Sequence, residues 1–330
     1  MKKLKALVLC LTLAISILLA SCTKTEKALK EVRVAYFPNI THAQALVMKS
    51  EGMLEEKLDD GLNVKWISFN AGPAEIEALF ASEVDIGYIG PVPAINGYVQ
   101  SKGDLRIIAG ASNGGSVLIS RSDLGKLTAA DLDGKKVAVP QLGNTQHLSL
   151  LSLLKQNNLA PTTAGGTVEV VPSSNADIVN LLDQKRVDAA LVPEPWGSIM
   201  EMDKNGIVSI DYDKIDASGI PSTAVVIVSK DFLTNHRDVV EKFMAAHKEA
   251  TMFINDKSTS AKAKDIVNTQ IFEVTQNKID TKVLDSAFKR LNLTEQIPTD
   301  SIKSFADISV AEKFIEAAPD DNIIDSSFIK

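Results

Sequence analysis

The stretch from Asn70 to Tyr98, NAGPAEIEALFASEVDIGYIGPVPAINGY, decides how the chain folds. Pro73 opens its first helix, because proline in the first helical turn loses no hydrogen bond. The apolar run Val84–Ile89 is typical of a short, buried parallel strand. Gly90 ends that strand, and Pro93 begins a second helix. The stretch therefore predicts helix, strand and helix, with helix starts just after strand ends, where open α/β sheets bind ligands.

A second stretch further along the chain repeats this pattern. Val187–Pro195, VDAALVPEP, resembles Val84–Pro93, VDIGYIGPVP. A helix with Ile178, Leu181 and Leu182 on one face precedes it. Because 330 residues are enough for two domains, the two units predict two α/β lobes, each with a loop at a strand end. A chance repeat of a common α/β pattern stays the alternative.

The order of the segments indicates that the chain passes between the lobes twice. Val117–Arg121 is predicted to be the first crossing and Thr223–Ser229 the return. Two lobes with two crossings predict a hinged clamshell with the site between them. We divide the chain into lobe 1, residues 32–115 and 226–330, and lobe 2, residues 116–225. The helical C-terminal part is expected to brace lobe 1 only.

The N-terminus predicts export. Residues 1–22 carry lysines at positions 2, 3 and 5, continue with the apolar run Ala6–Ala20 and end in Leu19-Ala20-Ser21-Cys22. This is the pattern of a signal peptide, and its end resembles a bacterial lipobox in which Cys22 is lipidated. An ordinary signal peptide with an incidental cysteine is the alternative. Residues 23–31 would then form a polar tether, and the mature chain would contain no disulfide.

Composition limits the classes of function. Apolar residues make up 45% and charged residues 23% of the chain, as in an ordinary soluble globular protein. The net charge of −7 and the lack of a basic stripe argue against nucleic-acid binding. The chain has no nucleophile elbow, phosphate-binding loop, dinucleotide fingerprint or metal-ligand spacing. We therefore expect no catalytic residue, no metal site and no cofactor.

Five loops each follow a predicted strand and open a predicted helix. Helix starts expose backbone N–H groups and the positive end of the helix dipole, which suit a small anion. None of the loops contains Lys or Arg, so neutral donors would hold the anion. The alternative is that these residues are only helix caps, and Thr41 with Gln44 indeed fits a capping box. The loops are residues 38–42, 70–73, 90–93, 141–145 and 173–177, and their candidate ligand-binding residues are Asn39, Thr41, His42, Asn70, Gly72, Gly90, Pro91, Asn144 and Thr145.

The segment Pro193-Glu194-Pro195-Trp196 adds two further candidates. Its prolines stiffen a loop at a strand end and hold the residues between them in place. Trp196 is predicted to lie against an alkyl or aromatic part of the ligand. Glu194 would accept hydrogen bonds either from a ligand amine or, as a structural residue, from backbone N–H groups. A bare carboxylate would repel an anion, so one of these partners is required.

Several of these motifs resemble the solute-binding proteins of bacterial ABC importers, in the branch for sulfonates, taurine and nitrate. The resemblance implies an α/β, type II periplasmic-binding-protein fold with two Rossmann-like lobes joined by a two-strand hinge. It also implies that the loops line the pocket and that the protein docks on an ABC permease carrying an ATPase. The motifs are residues 36–42, 69–73, 88–93, 140–145 and 192–196.

The resemblance predicts a non-enzymatic capture protein for a small anionic or zwitterionic solute, best an aliphatic sulfonate or taurine. Taurine would be favoured if Glu194 faces the cleft. We expect a monomer, exported and anchored through Cys22 to the outer face of the cell membrane, or on the periplasmic side if the host has two membranes. Open alternatives are nitrate, a thiamine-pyrimidine or riboflavin type of vitamin precursor, a precursor-synthesis enzyme on the same fold, and a sensing or adhesive lipoprotein.

Overall fold

The computed structural model describes residues 29–59, 61–216 and 219–329. The predicted signal peptide, Cys22 and most of the tether lie outside the described residues. The strands are β1 (Glu31–Tyr36), β2 (Asn63–Ser68), β3 (Ile86–Ile89), β4 (Leu105–Gly114), β5 (Ser116–Ser120), β6 (Lys136–Val139), β7 (Glu169–Pro172), β8 (Ala189–Pro193), β9 (Ile207–Ile210), β10 (Ser222–Ser229) and β11 (Leu291–Leu293). The α-helices are α1 (Ala43–Glu51), α2 (Gly72–Phe80), α3 (Pro91–Gln100), α4 (Thr145–Gln156), α5 (Asn175–Asp183), α6 (Trp196–Asp203), α7 (Lys230–Asn235), α8 (Arg237–Asn255), α9 (Ser260–Thr275), α10 (Thr281–Lys289) and α11 (Thr299–Ala311).

The strands form two sheets with the same central plan. The first has the order β11-β4-β10-β3-β1-β2, and the second β7-β6-β8-β5-β9. In the first sheet β1 pairs in parallel with β2 and β3, and in the second β6 pairs in parallel with β7 and β8. The two sequence stretches that resemble one another supply β3 and β8, which occupy equivalent positions. The predicted pair of α/β units is therefore confirmed.

The chain leaves the first sheet between Gly114 and Ser116. Gly114 and Gly115 have φ angles of +75° and +72°, a left-handed conformation that glycine adopts without strain. On the return, β10 pairs with β3 and β4 from Ser222 onward. The segment predicted to be the return crossing is therefore a strand of the first sheet, and the chain crosses back before Ser222. The lobe boundaries themselves stay a prediction.

We call the first sheet with the helices packed on it the first half of the molecule, and the second sheet with its helices the second half. Each half has its own apolar packing, and one helix of the second half, α4, also enters the core of the first half. Leu148 on α4 is fully buried among residues of the first sheet and its helices, including Ile95 and Phe305. The helices α8 and α9 pack on α1, whereas α11 packs on both α3 and α4. The C-terminal part thus contacts both halves, and the expectation that it braces lobe 1 only is wrong.

In the described ranges, no helix has the length and apolar character needed to cross a membrane.

The start of α1 differs from the predicted capping box. Ile40, Thr41 and His42 form a 3-10 turn, and α1 begins at Ala43 without a side-chain cap. The Gln44 amide donates instead to the Ala111 carbonyl oxygen at 2.8 Å, on the neighbouring β4. The predicted capping box is wrong for two reasons. The 3-10 turn moves the start of the helix to Ala43, and the Gln44 side chain bonds to β4 and not to the backbone of Thr41.

Candidate functional site

The five loops singled out in the sequence all line one small cavity, between strand ends of the first sheet and strand ends of the second. The cavity has a volume of about 20 Å³, which is room for one water-sized molecule. The helices α2, α3, α4 and α5 all begin at its wall. Eight of the predicted residues contribute to the wall, namely Asn39, Thr41, His42, Asn70, Gly72, Gly90, Asn144 and Thr145.

Sequence analysis missed three polar residues of this wall, Gln146, Asn175 and Thr223. Asn175 is the first residue of α5, immediately after the N-cap Ser174, so the loop was identified although the side chain was not. Gln146 lies just past the fourth loop, where its Nε2 amide donates to Ser116 Oγ at 3.0 Å. Thr223 belongs to β10, and a strand pattern gives no signal for a role in a cavity.

Two buried polar atoms of the wall have no hydrogen-bond partner among the described residues. They are Thr145 Oγ1 and Asn175 Oδ1, in side chains that are 3% and 7% exposed. Gly90 lies against Thr145 so closely that a Cβ atom at residue 90 would be 2.3 Å from Oγ1. An unsatisfied buried polar group costs free energy, and such groups are usually paired. The Thr145 hydroxyl can donate to an oxygen of a ligand, whereas the Asn175 carbonyl oxygen can only accept.

The wall is uncharged. Among the described residues, the wall contains no Lys, Arg, Asp or Glu. Burial lowers the pKa of His42 to about 3, so its imidazole is neutral at physiological pH. Its Nδ1 accepts a hydrogen bond from the Phe37 backbone N–H at 3.1 Å, which places the proton on Nε2. An anion in the cavity would therefore be stabilised by helix N-termini and neutral donors and not by a cationic side chain of the described wall.

The structure does not place Trp196 against the cavity. The side chain is 4% exposed and belongs to the core of the second sheet. Its indole Nε1–H donates to Asn39 Oδ1 at 2.7 Å, across the two halves of the molecule. Because the Asn39 oxygen already accepts the hydrogen bond from Trp196, the Asn39 amino group is the part of the side chain that could donate to a ligand. The predicted ligand contact is thus replaced by a contact that positions Asn39.

Glu194 does not line the cavity either. Its carboxylate is fully buried and accepts hydrogen bonds from the Ser198 backbone N–H at 2.9 Å and the Ser198 hydroxyl at 3.0 Å. Arg290 Nη1 donates to the same carboxylate at 2.9 Å. These contacts fit the alternative in which Glu194 is a structural residue that accepts hydrogen bonds from backbone N–H groups. They leave no position for a ligand amine. Pro91, the first residue of α3, is also absent from the wall.

Known proteins are similar in sequence to this chain over much of its length. The "Taurine-binding periplasmic protein" of Escherichia coli (strain K12) is 30% identical over 186 residues, 56% of this chain and 55% of that protein. That match therefore spans only about half the length of the relative. A Bacillus subtilis (strain 168) protein, provisionally named as an aliphatic sulfonates-binding protein, is 25% identical over 96% of this chain and 94% of its own length.

Solved structures give the fold. The alkanesulfonate-binding protein SsuA from Xanthomonas axonopodis pv. citri, solved with bound MOPS, matches with a TM-score of 0.74 at 19% identity. The match covers 90% of this chain and 99% of SsuA. The predicted type II periplasmic-binding-protein fold with two Rossmann-like lobes is thereby confirmed. Residues 25–268, more than half of the chain, also match the model of the NMT1-like family, and the chain belongs to that family.

Proposed function

We propose that this protein is the extracytoplasmic solute-binding component of an ABC importer and that it captures a small organic anion, best an aliphatic sulfonate. The observation that carries the proposal is the convergence of helix starts from both sheets on one uncharged cavity, where the Thr145 hydroxyl has no partner among the described residues and can donate to an anion. The names of the taurine-binding and sulfonate-binding relatives support the same ligand class. Enzymatic activity is not part of the proposal: with a pKa of about 3, His42 is a weak base, and the described wall residues include no Cys, Ser, Lys, Asp or Glu.

The neutral wall favours a sulfonate over phosphate. A sulfonate carries one charge spread over three oxygens, and amide, hydroxyl and backbone N–H donors can balance it at helix N-termini. A phosphate carries more charge at pH 7, for which a bidentate Arg is the usual partner. Nitrate has the same single charge, so it remains a second ligand to be tested. We propose that all eight wall residues predicted from the sequence bind this ligand.

Capture would proceed by closure of the two halves on the ligand. Because the cavity of about 20 Å³ is smaller than a sulfonate group, the halves would have to separate to admit the ligand and would stay further apart around it than in this structure. The Trp196–Asn39 hydrogen bond, the approach of Thr145 to Gly90 and the burial of Leu148 all join the two halves. These contacts would form together with ligand contacts, so that a ligand shifts a balance between open and closed forms. Docking on a permease with its ATPase, anchoring through Cys22 and a monomeric state complete the proposal.

We expect Thr145→Val to weaken ethanesulfonate binding by about 10- to 100-fold. The substitution keeps the shape of the side chain but removes the hydroxyl, and a hydrogen bond to a charged group contributes about 1.5–3 kcal/mol. Isothermal titration calorimetry of the purified protein measures the change. Thr269→Val is the matched control, because Thr269 is exposed on α9 away from the cavity. The absence of heat with ethanesulfonate, taurine and nitrate alike would refute the proposed function.

The affinity for ethanesulfonate should change less than twofold between pH 5.5 and 8. His42 is the titratable side chain of the wall, and with a pKa of about 3 it stays neutral throughout this range. A sulfonate does not titrate there either. Calorimetric titrations at several pH values in buffers of equal ionic strength test this. A tenfold loss of affinity with a midpoint near pH 6.5 would show that a histidine binds the anion as a cation.

A further inference from the structure

The helix α11 ends in a tight turn that fixes the position of Phe314. The helix stops at Ala311, and Lys313 then adopts a left-handed φ of +62°. The Phe314 backbone N–H donates to the Ser309 carbonyl oxygen at 2.8 Å, as in a helix end of the Schellman type. The half-buried Phe314 side chain packs on the apolar core of the first half. The turn and the core therefore hold the aromatic ring in one place.

From this position Phe314 contacts the second half. We call residues 143–147, the loop before α4 and its first residues, the α4 entry. The Phe314 ring meets the His147 imidazole edge to face, with ring centroids 5.7 Å apart and an interplanar angle of 81°. A Cβ atom at Gly143 would lie 3.6 Å from Phe314 Cε1 and 4.0 Å from Pro73 Cγ. Phe314 therefore joins the first half to the α4 entry.

The α4 entry carries two of the proposed ligand-binding residues, Asn144 and Thr145. The Gly143 backbone N–H donates to His147 Nδ1 at 3.0 Å, and the His147 backbone N–H donates to Asn144 Oδ1 at 2.8 Å. Burial lowers the pKa of His147 to about 4, so its imidazole is neutral and Nδ1 can accept this hydrogen bond. A displacement of the imidazole would therefore move the backbone that presents Asn144 and Thr145 to the cavity.

Two further contacts join α4 to the first half. Leu148 is fully buried in the core of the first half, next to the α4 entry. Lys155, at the other end of the helix, pairs with Glu312 at 3.2 Å. The Lys155 side chain is 61% exposed, and ion pairs of this kind contribute little free energy. Of these three contacts, the Phe314 ring is the one that touches the α4 entry itself.

We propose that Phe314 is a positioning residue for the ligand site and holds the α4 entry against the first half while a ligand is bound. The proposal rests on the proposed function and adds to it a residue outside the cavity wall. Aromatic pairs interact at centroid distances of about 4.5–7 Å. Starting from 5.7 Å, the Phe314–His147 pair keeps its contact if the halves move apart by about 1 Å around a ligand, and loses it when the cleft opens further. The contact therefore stabilises the closed complex and not the open form.

Phe314→Ala should weaken ethanesulfonate binding by about 3- to 10-fold, the size of effect that an edge-to-face aromatic pair supports. The ligand enters the open form, in which the contact is absent, so the loss should come from faster dissociation. The association rate constant should stay within about twofold. Calorimetry measures the affinity, and stopped-flow tryptophan fluorescence measures the rates, because Trp196 donates a hydrogen bond across the two halves.

Three further variants separate positioning from general stability. Phe314→Tyr keeps the ring and should recover most of the affinity, whereas Phe314→Leu keeps apolar volume without the ring and should show the loss even if Phe314→Ala does not fold. Phe328→Ala is the matched control, because Phe328 is also half-buried near the C-terminus but its ring lies under the Arg237 guanidinium, 4.4 Å from its carbon atom. The control should bind ethanesulfonate within about twofold of the unmodified protein. Circular dichroism verifies that each variant folds.

The outcomes distinguish this proposal from the proposed function. If the unmodified protein binds ethanesulfonate and both Phe314→Ala and Phe314→Leu bind it equally tightly, the positioning role is overturned and the function stands. A loss of the same size in Phe328→Ala, or a loss caused by slower association, would overturn the positioning role as well. Lack of binding of any sulfonate by the unmodified protein would refute the proposed function, and this proposal with it.

Discussion

We expect Arg290→Met to lower the free energy of unfolding by about 3–5 kcal/mol. Arg290 is 12% exposed and forms ion pairs with three carboxylates, Glu194 at 2.9 Å, Glu201 at 2.8 Å and Asp211 at 3.2 Å. Glu194 is fully buried, so the variant would leave a buried charge without its partner. Removing one partner of a buried ion pair commonly costs this much.

The position of Arg290 in the fold makes this ion cluster a joint between the two sheets. Arg290 lies between α10 and β11, and β11 pairs with the end of β4 beside the first crossing. The three carboxylates follow β8, lie in α6 and follow β9, all in the second half. The cluster therefore holds the two halves together next to the chain crossing, on a different set of residues from the cavity.

Chemical denaturation followed by circular dichroism measures this effect. Arg237→Met is the control, because the ion pairs of Arg237 are largely exposed and should contribute less than about 1 kcal/mol. The double variant Arg290→Met with Glu194→Gln should be more stable than Arg290→Met alone, since it removes the unpaired charge. A loss below about 1 kcal/mol for Arg290→Met, or no recovery in the double variant, would contradict the role assigned to the cluster.

The loss in Arg290→Met should also depend on pH. Burial already raises the pKa of the Glu194 carboxyl, and the Arg290 guanidinium opposes that effect. Without Arg290, the folded state would hold Glu194 in its neutral form to higher pH, whereas the unfolded state would ionise near the ordinary pKa of a glutamate. The destabilisation should therefore be larger at pH 8 than at pH 5.

Local sequence patterns sufficed for the loops that form the cavity. Each loop follows a short apolar run and carries small or capping residues, and these signals depend only on neighbours in the chain. The convergence of the loops follows from a general rule as well, because parallel strands bring their carboxyl ends to one edge. Fold class and most of the cavity wall were predictable for this reason.

The direction of side chains at the segment around Glu194 was not predictable. Rigidity of the loop was evident from its prolines, but the partners lie far away in sequence, Asn39 for Trp196 and Arg290 for Glu194. Both alternatives for Glu194 satisfied the local chemistry. Only the tertiary arrangement of α10 and β11 decides between them, and a single sequence with no contact information does not contain it.

A second large effect is expected at Glu75, on the first turn of α2. Its carboxyl is fully buried, and neither oxygen has a hydrogen-bond partner among the described residues. Gly87 on β3 makes room for it, since a Cβ atom there would lie 2.0 Å from Glu75 Oε1. Burial raises the pKa of this carboxyl well above its ordinary value. The folded protein therefore holds Glu75 as a neutral acid.

The raised pKa makes the contribution of Glu75 to stability fall as pH rises. Below the ordinary glutamate pKa, Glu75 is protonated in both the folded and the unfolded state, and its ionisation does not lower the free energy of unfolding. Above it the unfolded state ionises while the folded state does not, which favours unfolding until the raised pKa is reached. Each pH unit in this window costs about 1.4 kcal/mol. Glu75→Gln does not titrate, so it should become progressively more stable than the unmodified protein as pH increases.

Chemical denaturation at pH 4, 6 and 8 tests this with Glu77→Gln as the control, because Glu77 is exposed on the same helix. The difference in unfolding free energy between Glu75→Gln and the unmodified protein should be smallest at pH 4 and grow at pH 6. Other titrating groups are common to both proteins and cancel in that difference. The control should show no such growth. A difference that stays flat with pH would mean that Glu75 is ionised in the folded protein, and that it has a partner which compensates its charge.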